Sequence, residues 1–181
     1  MTRTVARQLA VQLGFSVANE PARAAEAVDA FFDEDYYASL AGENELFAEY
    51  PGEKQRDYIR SIVTGTAAHA RELDAYIEKY ARGWKLPRIS RIALTILRTA
   101  LFEVLYMDDV PDSVAINEAV ELAKGYEEPE TVAFINGILG SFMRGERGAV
   151  PREEPAADGG EESVSEETPV RSSFQGGAEE S

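Results

Sequence analysis

The side chains able to do chemistry in this 181-residue chain are few in kind. With no cysteine there is no thiolate nucleophile, disulfide or thiolate zinc site, and a single histidine, His69, excludes a multi-histidine metal centre. A di-iron carboxylate site in a helical bundle needs an inward Glu-x-x-His from each of two helices, which one histidine does not supply. His69, in Ala67-Ala68-His69-Ala70-Arg71-Glu72, therefore reads as a surface or packing residue. Carboxylates are plentiful, but pairs such as Glu118/Glu121 and Glu127/Glu128 fall on helix surfaces or in turns, where solvated faces rather than acid–base dyads are expected. No phosphate-binding Gly-rich loop, dinucleotide fingerprint or nucleophile elbow occurs. We expect no catalytic residue, no metal and no cofactor, and a function that consists of contact.

Three groups of residues have the chemistry for contact. Arg3 and Arg7, four residues apart at the start of a helix, share a side of it, away from the stripe Val5, Leu9, Leu13, and would neutralise phosphates there. The junction from Gly125 through Tyr126, Glu130, Thr131 and Phe134 to Gly137 holds two aromatic rings. Either Tyr126 or Phe134 could carry an unstacked base, because sequence reading of RNA favours single strands stacked on aromatics. An aromatic at helical spacing is, equally, an ordinary core residue. Arg88, Arg91 and Arg98 form the third group, with ion pairing to the many carboxylates as the plainer interpretation.

The elements that must position these residues are helical throughout residues 1–150. Val5, Ala6, Leu9, Ala10, Leu13 and Val17 mark a first helix, and Ala22 to Phe32 a second after the Asn19-Glu20-Pro21 break. A long third region runs from Glu53 to Tyr80, with Gly65 as its expected kink, and Ala41 to Gly52 reads as a connection with one short turn. From Ile89 to Leu105 apolar residues cover so much of the circumference that this helix should be central, with Arg91 and Arg98 at its wetter edge. Pro111 breaks the chain, Asp112 or Ser113 is expected to cap a helix to Lys124, and Pro129 opens a last helix to Phe142. No stretch alternates for long enough to form a convincing strand. The expected fold is an all-α bundle of about six or seven helices.

Charge divides the chain. Residues 151–181 carry nine acidic and two basic residues, a net of −7 of the total −15, with Gly-Gly pairs, prolines and Phe174 as their one aromatic. Such a segment buries too little apolar surface to offset chain entropy, so residues 149–181 are expected to be a disordered acidic tail beside a domain at 1–148. The acid excess argues against general nucleic-acid binding. The N-terminus does not open into an apolar signal region, and no apolar run reaches the roughly 18 residues of a membrane span, so a cytoplasmic protein without a membrane partner is expected.

The run Asp109-Val110-Pro111-Asp112-Ser113-Val114-Ala115-Ile116-Asn117-Glu118-Ala119-Val120-Glu121-Leu122-Ala123-Lys124, followed by Phe134-Ile135-Asn136-Gly137-Ile138-Leu139, resembles the C-terminal signature of the NusB family of bacterial transcription antitermination factors. Ile96-Leu97-Arg98-Thr99-Ala100-Leu101-Phe102-Glu103 and Ala6-Arg7-Gln8-Leu9-Ala10-Val11-Gln12 are similar to the family's central and first helices, so the resemblance spans about residues 3–145. It implies two helical subdomains, near 3–80 and 88–145, and no enzyme activity. It also implies binding of boxA single-stranded leader RNA of ribosomal RNA operons, as a heterodimer with the ribosomal protein NusE, within an RNA polymerase antitermination complex. By position, the family's RNA contacts fall on Arg3, Arg7, Glu130 and Phe134, with Thr131 and Ala133 flanking. The NusE surface falls on parts of 88–124, here assigned to Arg91, Arg98, Glu103 and Glu118.

The chain departs from the family where electrostatics matter. Thr4 and Val5 stand where many members have arginines, and Ala133 where some have lysine. Each phosphate neutralised on single-stranded RNA contributes a salt slope of only about −0.7, so two arginines imply weak binding by the acidic chain alone. A basic partner would supply the rest, and NusE, as a ribosomal protein, fits. On this basis Arg7→Glu should weaken the RNA complex and spare the NusE complex. Two alternatives stand beside this expectation. One is a protein-binding or homodimeric adaptor with weakened RNA recognition. The other is the RNA-binding domain of a ribosomal RNA methyltransferase, disfavoured because there is no room for a cofactor-binding α/β domain.

Overall fold

Thr2 opens the first helix in the way its side chain allows: its hydroxyl accepts from the Val5 N–H at 3.2 Å, supplying one of the donors that a helix start leaves without a partner. The computed structural model describes residues 1–148 and contains eight α-helices in them. In chain order these are α1 (Arg3–Val17), α2 (Ala24–Phe31), α3 (Glu34–Leu40), α4 (Glu53–Ala68), α5 (Ala70–Tyr80), α6 (Arg91–Tyr106), α7 (Asp112–Lys124) and α8 (Pro129–Phe142). There is no strand among the described residues, so the bundle is all-α as the periodicity implies. The expected tail lies outside the described residues, apart from its boundary.

Two elements go beyond the expected helices. Asp33 caps the short helix α3 by accepting from the Tyr36 N–H at 2.9 Å, and Tyr37 is buried edge-on against Phe31, Phe47 and Tyr50. The region Glu53 to Tyr80 is two helices, and the break falls at His69. His69 stacks beside Tyr106 (centroids 4.3 Å apart) and lies 3.2 Å from Glu72, consistent with a packing histidine.

Gly65, the expected kink, has another role. Helix α4 continues through it, and a Cβ added there would lie 2.1 Å from Cζ of Phe102 on α6. The glycine therefore permits the close approach of two helices. Nor is α7 capped by Asp112 or Ser113: Pro111 holds the cap position without a side-chain bond, and Asp112 lies in the first turn, where the helix dipole favours a negative charge.

Helix α6 is the hub. Ser90 caps it by accepting from the Ala93 N–H at 3.1 Å, and it packs against α1, α4, α5, α7 and α8. Ala93, Ile96, Leu97, Ala100 and Leu101 are buried in one core, joined by Leu9 of α1, Ile59 and Ile62 of α4, Ala115 of α7 and Ile135 of α8. Helix α1 packs chiefly on α4, while α5 packs on both α6 and α8. No helix among the described residues is long and apolar enough to cross a membrane.

Candidate nucleic-acid interface

The two arginines of α1 lie on one side of the helix, as their spacing requires, and that side faces protein. The Arg3 guanidinium lies 4.3 Å from the Tyr58 ring centroid and that of Arg7 5.9 Å. Arg7 is 2 % exposed, which corrects the expectation that it projects into solvent. Its Nε and Nη2 donate to Glu103 at 2.9 and 2.7 Å, and its Nη1 donates to Glu118 at 2.8 Å. Tyr58 on α4 donates its hydroxyl to the same Glu103 carboxylate at 2.7 Å. One buried cluster thus ties α1, α4, α6 and α7 together.

This cluster corrects two of the site expectations, those for Glu103 and Arg7, and leaves Glu118 partly exposed. Glu103 is fully buried and has no surface to offer a partner. Glu118 is paired with Arg7, though it keeps a partly exposed edge. Arg7, with two carboxylates around it, carries no surplus charge for a phosphate. Burial opposes its positive charge, but the hydrogen bond and the charge of Glu103, reinforced by Tyr58 and Glu118, outweigh that and raise its pKa.

Tyr58 is the group whose titration the cluster alters most. Burial first, and then the charge of Glu103, push its phenol well above the ordinary range. The folded state therefore holds this proton where the unfolded chain, near pH 10, releases it. Stability from this group is complete below about pH 10 and is lost as pH rises beyond it, at up to about 1.4 kcal/mol per pH unit. Urea unfolding across the alkaline range should show a shallower decline in Tyr58→Phe than in the parent chain. Equal slopes would mean that Tyr58 ionises freely in the fold.

Arg3 remains near the surface. It pairs with Asp109 through Nη2 at 3.0 Å, while its Nη1 is buried with no hydrogen-bond partner. Arg91 is exposed, lying over the Phe15 ring at 4.6 Å, and Arg98 makes a two-point pair with Asp74 at 2.7 Å for each bond. Glu130 is exposed and Thr131 half-buried at the start of α8. Phe134 is half-buried against the core, and its ring packs on Trp84 (centroids 4.8 Å apart), so it is not a free stacking platform.

A groove of about 680 Å³ runs between α1 and α7. Thr4, Gln8 and Gln12 line it from α1, Glu118, Glu121 and Leu122 from α7, and Asn44 and Leu46 from the α3–α4 connection. Tyr126 closes one end, its hydroxyl accepting from Gln12 Nε2 at 3.0 Å, so the α1 face is joined to the turn before α8. Gln8, Gln12 and Asn44 were not among the expected site residues. The signal for the first two was present in the four-residue spacing of Thr4, Gln8 and Gln12, which draws a neutral polar stripe on α1. Such amides and hydroxyls present donors and acceptors suited to base edges rather than phosphates.

The NusB family model matches residues 4–144. The transcription antitermination protein NusB of Acetivibrio thermocellus is 51% identical over 92 residues, 51% of this chain and 63% of that protein. The protein of the same name from Natranaerobius thermophilus is 35% identical over 142 residues, covering 77% of this chain and 92% of the relative. The solved structure of T. maritima NusB superposes with a TM-score of 0.60 at 27% identity, over 80% of this chain and 92% of that one. By family match, by near full-length similarity and by fold, this chain belongs to the NusB family of transcription antitermination proteins.

Proposed function

We propose that this chain reads boxA-type single-stranded RNA of ribosomal RNA leaders as a heterodimer with NusE, within an antitermination complex on RNA polymerase. What carries the proposal is the polar groove along α1, which runs from Thr4 to Tyr126 and so joins the first helix to the turn before Glu130, Thr131 and Phe134. Its amides would read base edges. Arg3, partly exposed at the start of the groove's helix and paired with Asp109, would supply a phosphate contact by exchanging that partner. Arg7 acts as a positioning residue: it holds Glu118 and, through Glu103, the packing of α1 on α6.

The charge balance supports a part for NusE in this reading. The body at residues 1–150 has 16 basic and 24 acidic residues, and both arginines on α1 are paired with carboxylates, Arg3 with Asp109 and Arg7 with Glu103 and Glu118. A basic partner then provides most of the counterion release that drives RNA affinity. Labelled boxA RNA titrated with this chain, with NusE and with the mixture is expected to bind the mixture at least tenfold more tightly than either alone. Equal, sequence-blind binding by the lone chain would refute the shared-charge scheme. Light scattering on the same samples separates the heterodimer from a homodimer.

A further inference from the structure

The segment joining α5 to α6, Ala81-Arg82-Gly83-Trp84-Lys85-Leu86-Pro87-Arg88-Ile89-Ser90, holds three cations and no carboxylate, in a chain of net charge −15. Arg82, Lys85 and Arg88 are all exposed, and none is ion-paired among the described residues. Among the described residues, six of the other ten arginines hold carboxylates: Arg3, Arg7, Arg23, Arg60, Arg98 and Arg147. The carboxylate that the segment's hydrogen bonds reach is Glu127, which accepts from the Ser90 hydroxyl.

The segment is also shaped. Gly83 has φ +80, a left-handed conformation that side chains resist, and the turn it makes is closed by the Trp84 N–H donating to Ala81 O at 3.1 Å. A second turn follows, with Arg88 N–H donating to Lys85 O at 2.8 Å and Pro87 in the 3-10 helix Leu86–Arg88. Trp84 is thereby fixed against Phe134 of α8 and still 40 % exposed. A large ring held by one neighbour and open to solvent, among unpaired cations, is the combination that single-stranded nucleic acid uses: a stacking platform with phosphate contacts around it.

We propose that the α5–α6 connection is a second contact for the RNA strand, with a base stacked on Trp84 and backbone phosphates held by Arg82, Lys85 and Arg88. This rests on the RNA-binding function proposed above and moves the stacking role from Phe134, whose ring supports the platform, to Trp84. It also places cations beyond α1 where a strand passing the start of α8 meets them.

Trp84 is the only tryptophan in the chain, so it reports its own contact. The test uses the full chain mixed with NusE and labelled boxA RNA, following anisotropy for binding and Trp84 fluorescence for stacking, with the NusE–RNA signal subtracted. The expected result is quenching of Trp84 that saturates with binding. Trp84→Leu should lower affinity about tenfold, within the range one stacked base provides. The triple variant Arg82→Ser, Lys85→Ser, Arg88→Ser, confined to exposed side chains, should reduce the slope of log affinity against log salt by about 2, from about 0.7 per phosphate. RNA binding with unmoved fluorescence and an unchanged slope in the triple variant would overturn this inference and leave the α1 groove standing. Displacement of the RNA by polyglutamate at matched charge, with the same quenching, would also overturn it, because the segment would then be a site for acidic polypeptide. Absence of RNA binding in the mixture would remove both proposals together.

Discussion

Arg7→Leu is expected to lower the unfolding free energy by about 3–5 kcal/mol, the cost of stranding a buried charge by removing its partner. Glu103 would keep the Tyr58 hydroxyl but lose three hydrogen bonds from the guanidinium, while fully enclosed between α1, α4 and α6. Glu103→Leu should cost a similar amount, because it leaves Arg7 with only Glu118 and Tyr58 with no acceptor. The double variant Arg7→Leu, Glu103→Leu should be less destabilised than the sum of the two, since no unpaired charge remains between them; Glu118, partly exposed, can be hydrated. Arg7→Glu would be more damaging than either single change, because it sets a third carboxylate beside Glu103 and Glu118. Loss of NusE binding along with RNA binding is the outcome expected of Arg7→Glu, contrary to what the sequence alone implied. Urea unfolding of the four variants decides the matter. Additive losses, or an Arg7→Glu chain that folds normally and fails only with RNA, would show that Arg7 is a contact residue after all.

Gly65→Ala is expected to cost near the upper end of the about 1–3 kcal/mol typical of overpacking, even though alanine is the better helix former by about 1 kcal/mol. The added methyl would meet three atoms of the Phe102 ring, at 2.1, 2.4 and 2.8 Å. That ring is not free to swing away, since it is buried and packs against Tyr106 (centroids 5.1 Å apart) and His69 (6.0 Å). Phe102→Leu in the Gly65→Ala background should recover part of the loss, because a shorter side chain leaves room for the methyl. Thermal unfolding of the two singles and the double tests this. A stabilised Gly65→Ala chain would mean that α4 and α6 lie farther apart than the structure places them.

Legibility in the sequence differed by the kind of interaction concerned. Helix α6 could be read almost entirely, because apolar residues at Ala93, Ile96, Leu97, Ala100, Leu101 and Val104 leave one geometry that buries them all. The breaks at Pro21, Pro111 and Pro129 were legible for the local reason that proline restricts its neighbours. Helix α3 was not, since seven residues are too few to show a period, and its support comes from Phe31, Phe47 and Tyr50. The break at His69 was missed because the apolar face continues across it, through Leu73 and Ile77. Of the candidate site, Arg3 and Arg7 were correctly placed on one side of α1, whereas the direction of that side was not legible.

The sequence by itself determined the all-α class, the central helix, the family signature and the division of charge between body and tail, because periodicity, turn chemistry and composition are properties of neighbouring residues. Only the tertiary structure decided what each charged or aromatic side chain is for. Arg7 and Glu103 are 96 positions apart and Trp84 and Phe134 are 50 apart, and nothing in their local surroundings predicts that each pair meets. An arginine in a helical stripe has the same appearance in sequence whether it faces solvent or a buried carboxylate; the difference is the dielectric and the partner that the packed helices bring to it.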